Sequence, residues 1–164
     1  MQRITLLCVG KLKEKFYEAA AAEYAKRLSR YCRLDVVELP EERLPEDPSP
    51  AQIDAALWKE AESIRRKLPP SSRVIALCVE GRFRSSEELA RLMASWAAGV
   101  DHGQEKRLVF LIGGSFGLHA SIKAEASEKL SMSPMTFPHH LARVMLLEQI
   151  YRACQINAGT RYHK

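Results

Sequence analysis

Apolar residues are grouped along the chain in five short runs that alternate with stretches of helical periodicity. Three of the runs are nearly continuous in apolar residues, which is the pattern of strands buried on both faces of a parallel sheet. Strands that alternate with helices predict one α/β domain with a mostly parallel sheet. The predicted strands cover residues 3–9, 33–39, 73–79, 107–112 and 129–137.

Helical spacing and capping signals predict the helices between these strands. Ser49 is the predicted start of a capping box, for a helix that ends near Leu68. Ser85 and Glu88 give the same signal for the next helix, which is predicted to fade at Gly99. Between the first two strands, apolar residues recur at helical spacing. These residues are Phe16, Ala20, Tyr24, Leu28 and Tyr31.

The last predicted helix, from about Pro138 to Asn157, is apolar on nearly all sides. Its middle reads VMLLEQIYRAC. A helix of this kind has to be covered on two sides, and in so small a protein the second cover is expected to come from another subunit. The sequence therefore predicts a homodimer.

A glycine-rich turn, IGGSFG, follows the fourth predicted strand at 112–117. It lacks the lysine of a Walker A loop, and it has neither the spacing nor the position of a Rossmann fingerprint. One interpretation is a tight turn that only needs the conformations of glycine. The other is a ligand site, because loops after parallel strands diverge into a crevice. The predicted loops EGRFRS and SPMTFPHH would lie at the same edge of the sheet.

The net charge of +5 is concentrated in two segments. Residues 10–33 hold seven Lys or Arg and three Glu, and residues 139–164 hold four Lys or Arg and one Glu. Two basic segments on a small protein indicate a polyanionic partner. A solvated helix face explains the first segment equally well. The aromatic residues and histidines of the second segment favour a functional interpretation.

Composition argues against several other classes of protein. The four cysteines form no C-x-x-C pair, so neither a disulfide framework nor a zinc site is predicted. The histidines near the C-terminus have no acidic or thiolate ligand beside them, and no metal is expected. The longest apolar runs have the length of strands, and the first residues lack the cleavage site of a signal peptide. We therefore expect a cytoplasmic protein without a membrane partner.

Four segments of the chain together resemble one family. They are VGKLKEKF at 9–16, IGGSFGLH at 112–119, LSMSPMTFPHHLARVMLLEQIYRA at 130–153 and the terminal YHK. They closely resemble the bacterial ribosomal RNA large-subunit methyltransferase H family, which belongs to the SPOUT class of enzymes, and the resemblance covers essentially the full chain. It implies a single SPOUT domain over 1–164, with a sheet of five to six strands and a C-terminal trefoil knot. The knotted cofactor-binding part would span about 107–157.

The resemblance also implies a site for S-adenosyl-L-methionine. The glycine turn would let the backbone approach a bent cofactor, and apolar side chains such as Leu77, Met135 and Phe137 would flank the adenine. The residues implied as the cofactor site are Leu77, Gly114, Ser133, Pro134, Met135, Thr136, Phe137 and Pro138.

By the same resemblance, the reaction is methylation of N3 of a pseudouridine in helix 69 of 23S rRNA, on the assembled 70S ribosome. Loss of the N3 proton needs a base, or a cation that stabilises the imidate. The catalytic candidates are His139, Arg143, Tyr162 and His163. The RNA-binding candidates are Arg143, Arg152, Arg161 and Lys164.

Plainer interpretations stay open for several of these residues. His139 follows Pro138 at the start of a helix, where a role as a cap alone would explain it. Glu148 and Arg152 are four positions apart on a helix, the spacing of a structural ion pair. His140 is expected to face solvent. Two other functions also stay open: a SPOUT enzyme acting on another RNA such as tRNA, and a ribosome-binding factor without enzymatic activity.

Overall fold

The computed structural model describes residues 1–98 and 107–163, and in this part of the chain a five-stranded parallel sheet has the strand order β2-β1-β4-β3-β5. This confirms the predicted α/β class. The strands are β1 (Gln2–Val9), β2 (Cys32–Leu39), β3 (Ser72–Phe83), β4 (Arg107–Ile112) and β5 (Glu128–Ser131). The helices are α1 (Lys15–Leu28), α2 (Pro50–Lys67), α3 (Ser86–Ala98), α4 (Ala120–Glu125) and α5 (His139–Asn157).

The sheet is covered by helices on both faces, which explains why the runs of β1 and β4 are apolar at nearly every position. Leu7 of β1 and Leu111 of β4 pack with residues of α2 and α4 on one face. Leu6 and Phe110 pack with residues of α1, α3 and α5 on the other. Successive side chains of a strand point to opposite faces, so a strand between two layers of helices must be apolar throughout.

The capping signals gave the correct helix starts. At Ser49 the backbone N–H donates to Gln52 Oε1 at 2.9 Å, and the Gln52 N–H donates to Ser49 Oγ at 3.2 Å. Ser85 and Glu88 make the same reciprocal pair before α3. The predicted end of that helix at Gly99 lies outside the described residues.

Two predicted strand limits and one helix limit were wrong. β5 ends at Ser131 instead of residue 137, because the Ser131 and Ser133 hydroxyls bond to nearby backbone groups and turn the chain into a loop. β3 continues through residues 80–83, which were predicted as a loop, and pairs again with β5 after a register shift. α1 ends at Leu28 and does not include Tyr31, whose hydroxyl accepts from Gln155 Nε2 at 3.0 Å.

The last helix, α5, lies against α1 and α3 and buries Leu146, Leu147 and Ile150. Its bounds agree with the predicted ones. The homodimer and the trefoil knot stay predictions. Among the described residues, no helix is both long enough and apolar enough to cross a membrane.

Candidate functional site

A cleft of about 750 Å³ opens at the edge of the sheet where β4 and β5 end. Its walls come from the glycine turn after β4, the loop after β5, the first turn of α5 and the middle of β3. The volume lies within the range of small-molecule sites, about 300–1,000 Å³. Seven of the eight residues predicted to hold the cofactor line it, and the exception is Pro134, which is in the loop after β5 but not in the wall.

The glycine turn closes on itself at the side of this cleft. The Gly117 N–H donates to the Gly114 carbonyl at 3.0 Å, and the two residues form an isolated antiparallel bridge. A Cβ atom at Gly113 would overlap the backbone of Gly117. The turn therefore requires glycine for steric reasons and also forms a wall of the cleft, so the two interpretations of this segment are compatible.

Glu41 is bound to the glycine turn by a hydrogen bond to its backbone. This residue is in the loop after β2, and its Oε1 accepts a hydrogen bond of 2.6 Å from the Ser115 N–H. A Cβ atom at Gly114 would lie 2.6 Å from the same oxygen. Sequence analysis missed Glu41, because its partner Ser115 is 74 positions away along the chain. Two adjacent glutamates at the carboxyl end of a strand were the available signal.

Glu60 of α2 is a buried carboxyl group near this loop, with 7% of its surface exposed. Its Oε2 has no hydrogen-bond partner among the described residues. Burial raises the pKa of Glu60 to about 7, and the negative charges of Glu41 and Glu42 add to the shift. The Glu60 carboxyl group therefore changes its charge near neutral pH.

We expect Glu60→Gln to remove part of the pH dependence of stability. The folded state holds the Glu60 proton up to about pH 7, whereas the unfolded state releases it near its usual pKa of 4.5. The free energy of unfolding of the wild type should therefore fall, by up to about 3 kcal/mol, as the pH rises through this window. Thermal melting from about pH 5 to about pH 8 checks this, with Glu62→Gln on the same helix as the control. If the stability of the wild type and of Glu60→Gln changed with pH in the same way, the prediction would be contradicted.

His139 is the first residue of α5, and its ring lines the cleft. The N-cap residue of α5 is Pro138, with no side-chain capping hydrogen bond, so the structure does not support the interpretation of His139 as a cap alone. His139 Nε2 is buried and has no partner among the residues that the structure describes. Burial lowers the pKa of His139, and the neighbouring His140 lowers it further. The lowered pKa favours the neutral imidazole, and Nε2 lies beside Gly10 without a hydrogen-bond partner among the described residues.

Arg143 lies one turn further along α5 but does not line the cleft. It is 3% exposed, and its guanidinium donates to Glu38 Oε2 at 2.6 Å and to the Gly10 carbonyl at 2.9 Å. These contacts hold the loop after β1 against α5. The structure thus places Arg143 apart from the C-terminal candidates. Its buried guanidinium pairs with the exposed Glu38, a contact that sequence spacing did not indicate.

The C-terminal candidates lie together along α5, away from the cleft of their own chain. The Tyr162 hydroxyl donates to Glu148 Oε1 at 3.3 Å, and the Arg152 guanidinium lies 4.9 Å from the centre of the Tyr162 ring. His163 Nε2 is 2.6 Å from Glu87 Oε1. Arg152 donates to Glu148 at 2.7 Å, so the structural ion pair expected from their spacing is present.

The remaining residues named in the sequence analysis are two basic residues near the C-terminus and His140. Arg161 is exposed, and Lys164 lies outside the described residues. His140 does not face solvent as expected, since its ring is largely buried, with Nδ1 3.2 Å from Glu14 Oε2. Within the described ranges, no group of three or more His, Cys, Asp or Glu side chains is arranged to hold a metal ion.

Comparison with known proteins gives one family and a shared fold. A family model for predicted SPOUT methyltransferases matches residues 2–163. A probable methyltransferase from Bordetella pertussis Tohama I has a TM-score of 0.59 at 15% identity, over 93% of this chain and 95% of that chain. A probable methylase family protein from Haemophilus influenzae Rd KW20 has a TM-score of 0.56 at 14% identity, over 99% of this chain and 71% of that chain. At these identities the two structures show a similar fold.

Proposed function

Since the chain belongs to the SPOUT methyltransferase family, we propose that it transfers a methyl group from S-adenosyl-L-methionine to N3 of a pseudouridine in helix 69 of 23S rRNA, on the assembled ribosome. Enzymes of this family typically use this cofactor. The observation that carries the proposal is the cleft, which has a wall that requires glycine and is lined by seven of the eight residues implied by the family resemblance.

The composition of the cleft supports the choice of cofactor. Leu77, Met135 and Phe137 give it apolar walls suited to a flat adenine, and the glycine turn exposes backbone groups that can bond to polar parts of the ligand. His139 Nε2 is a buried polar atom that lacks a protein partner among the described residues, and a bound ligand would satisfy it. When bound, the cofactor supplies an electrophilic methyl group.

The residues of the chain must position the RNA base, exclude water and take up the N3 proton. His139 is the catalytic candidate whose ring lines the cleft, and its lowered pKa keeps it neutral and able to accept a proton. Arg143 acts by holding the loop after β1, through Glu38 and the Gly10 carbonyl. Tyr162 and His163 lie away from the cleft of their own chain, so in this proposal they contact the RNA base or the cleft of a partner subunit.

Methyl transfer to a panel of RNAs tests the proposed substrate. The panel consists of 70S ribosomes, free large subunits, naked 23S rRNA and tRNA, all without the modification, with methyl-labelled cofactor. We expect label on 70S ribosomes and little on naked rRNA, because the assembled particle offers a preformed surface on which a small protein can dock. Label on tRNA alone would identify another RNA as the substrate. If the protein binds the cofactor but methylates none of the four RNA substrates, the proposed substrate is overturned. If it neither binds the cofactor nor transfers a methyl group, a non-enzymatic binding factor is favoured.

A further inference from the structure

Phe16, near the start of α1, is an aromatic side chain with 66% of its surface exposed. Lys11, Lys13 and Lys15 precede it and are also exposed. Among the residues that the structure describes, these three lysines form no ion pair. We call residues 11–16 the lysine segment. It combines unpaired positive charge with an aromatic ring in solvent, so its charge and its ring are both available to a partner.

The lysine segment is held in place by Glu38 of β2 and by the start of α5. The Leu12 N–H donates to Glu38 Oε2 at 3.3 Å, and this carboxylate also accepts from Arg143. His140 Nδ1 lies 3.2 Å from Glu14 Oε2. A surface fixed in this way loses little conformational entropy when a partner binds.

A line of aromatic rings connects the lysine segment with the cleft. The ring centres of Phe16 and Tyr17 are 4.4 Å apart, those of Tyr17 and His140 are 6.2 Å apart, and those of His140 and His139 are 4.1 Å apart. His139 lines the cleft. At the other end of the segment, a Cβ atom at Gly10 would lie 3.5 Å from His139 Nε2. The segment therefore begins beside His139, a residue that lines the cleft.

We propose that the lysine segment binds the RNA substrate beside the target nucleotide. Phe16 stacks on a base that flanks the target, and the three lysines contact the phosphates around it. Aromatic rings that stack on unpaired bases, next to cations that contact the backbone, are the usual means of binding single-stranded and looped RNA. This inference rests on the proposed function and adds the surface that receives the RNA.

Binding of 70S ribosomes by variants of Phe16 tests the inference independently of methyl transfer. We expect Phe16→Ala to raise the Kd for ribosomes in a sedimentation assay about tenfold, within the range found when a stacking residue is removed. Phe16→Trp should restore binding, because indole also stacks. Trp58→Ala is the matched control, since Trp58 is an aromatic residue of α2, on the opposite face of the sheet, with 47% of its surface exposed. The affinity for S-adenosyl-L-methionine should stay unchanged in all three variants.

Two further measurements separate RNA from other partners. Lys13→Ala should reduce the salt dependence of ribosome binding by about one phosphate contact. A photo-crosslinking residue, Phe16→p-benzoylphenylalanine, should link to rRNA. The inference would be overturned by a crosslink to ribosomal protein alone, or by an unchanged Kd for Phe16→Ala. It would also be overturned if Phe16→Ala changed the mass of the protein in solution, since Phe16 would then be a contact between copies of the chain. If ribosomes bind through Phe16 but receive no methyl group, the proposed function fails and the binding surface stands.

Discussion

Removal of residues 161–164 is expected to reduce methyl transfer to ribosomes severely while leaving the affinity for S-adenosyl-L-methionine largely intact. The segment contains Tyr162 and His163, which make no part of the cleft wall in their own chain. The Tyr162 and His163 side chains contact Glu148, Arg152 and Glu87 of α5 and α3 instead. If these residues handle the proton or orient the base, their loss should lower the rate by about 100-fold or more. Single-turnover transfer and calorimetric titration with the cofactor measure the two quantities separately.

The matched control for this truncation removes Lys164 alone. It takes away one positive charge but keeps Tyr162 and His163, so it should retain most of the transfer rate. Tyr162→Phe and His163→Gln then divide the effect between the two side chains. Loss of cofactor affinity in the longer truncation would show that the tail builds the pocket, and retained transfer would remove the tail from the chemistry.

Gly113→Ala is expected to weaken cofactor binding strongly. The added methyl group would overlap the backbone of Gly117, so the turn can accept it only by opening. Opening moves Gly114 and Ser115, which line the cleft, and breaks the hydrogen bond between the Gly117 N–H and the Gly114 carbonyl. Overpacking of this kind typically costs about 1–3 kcal/mol, so we expect a rise in Kd of about tenfold or more. Calorimetric titration with the cofactor checks the result.

Ser115→Ala is the matched control for Gly113→Ala. It is in the same turn and keeps the backbone N–H that donates to Glu41, so neither the turn nor its attachment should change. Thermal melting of both variants shows whether the fold is intact where binding is lost. If Gly113→Ala bound the cofactor as tightly as the wild type, the glycine turn would not be the wall of the cofactor site.

Local patterns predicted most of the fold because its elements are defined by local chemistry. The apolar runs of β1 and β4 and the capping boxes at Ser49 and Ser85 can each be recognised from a few neighbouring residues. The end of β5 could not be predicted in this way, because the Ser131 and Ser133 hydroxyls form hydrogen bonds that compete with strand pairing.

The candidate site was predicted in part, and the omissions share one physical cause. The family resemblance supplied seven residues that line the cleft, whereas pattern reasoning alone left the glycine turn with two interpretations. Glu41 and Arg143 act through partners that are 74 and 105 positions away in sequence. Periodicity and short motifs carry no information on such pairs. The ion pair between Glu148 and Arg152, four positions apart, was predictable for the opposite reason.

The measurement that tests the central claim most directly is the position of the transferred methyl group. Unmodified 70S ribosomes are incubated with the protein and S-adenosyl-L-methionine, and nuclease fragments of the 23S rRNA are analysed by mass spectrometry. We predict the mass of one added methyl group on the fragment from the helix 69 hairpin, located on N3 of a pseudouridine. A methyl group on any other nucleotide, or no methyl group on ribosomal RNA under conditions in which the protein binds the cofactor, would contradict the account.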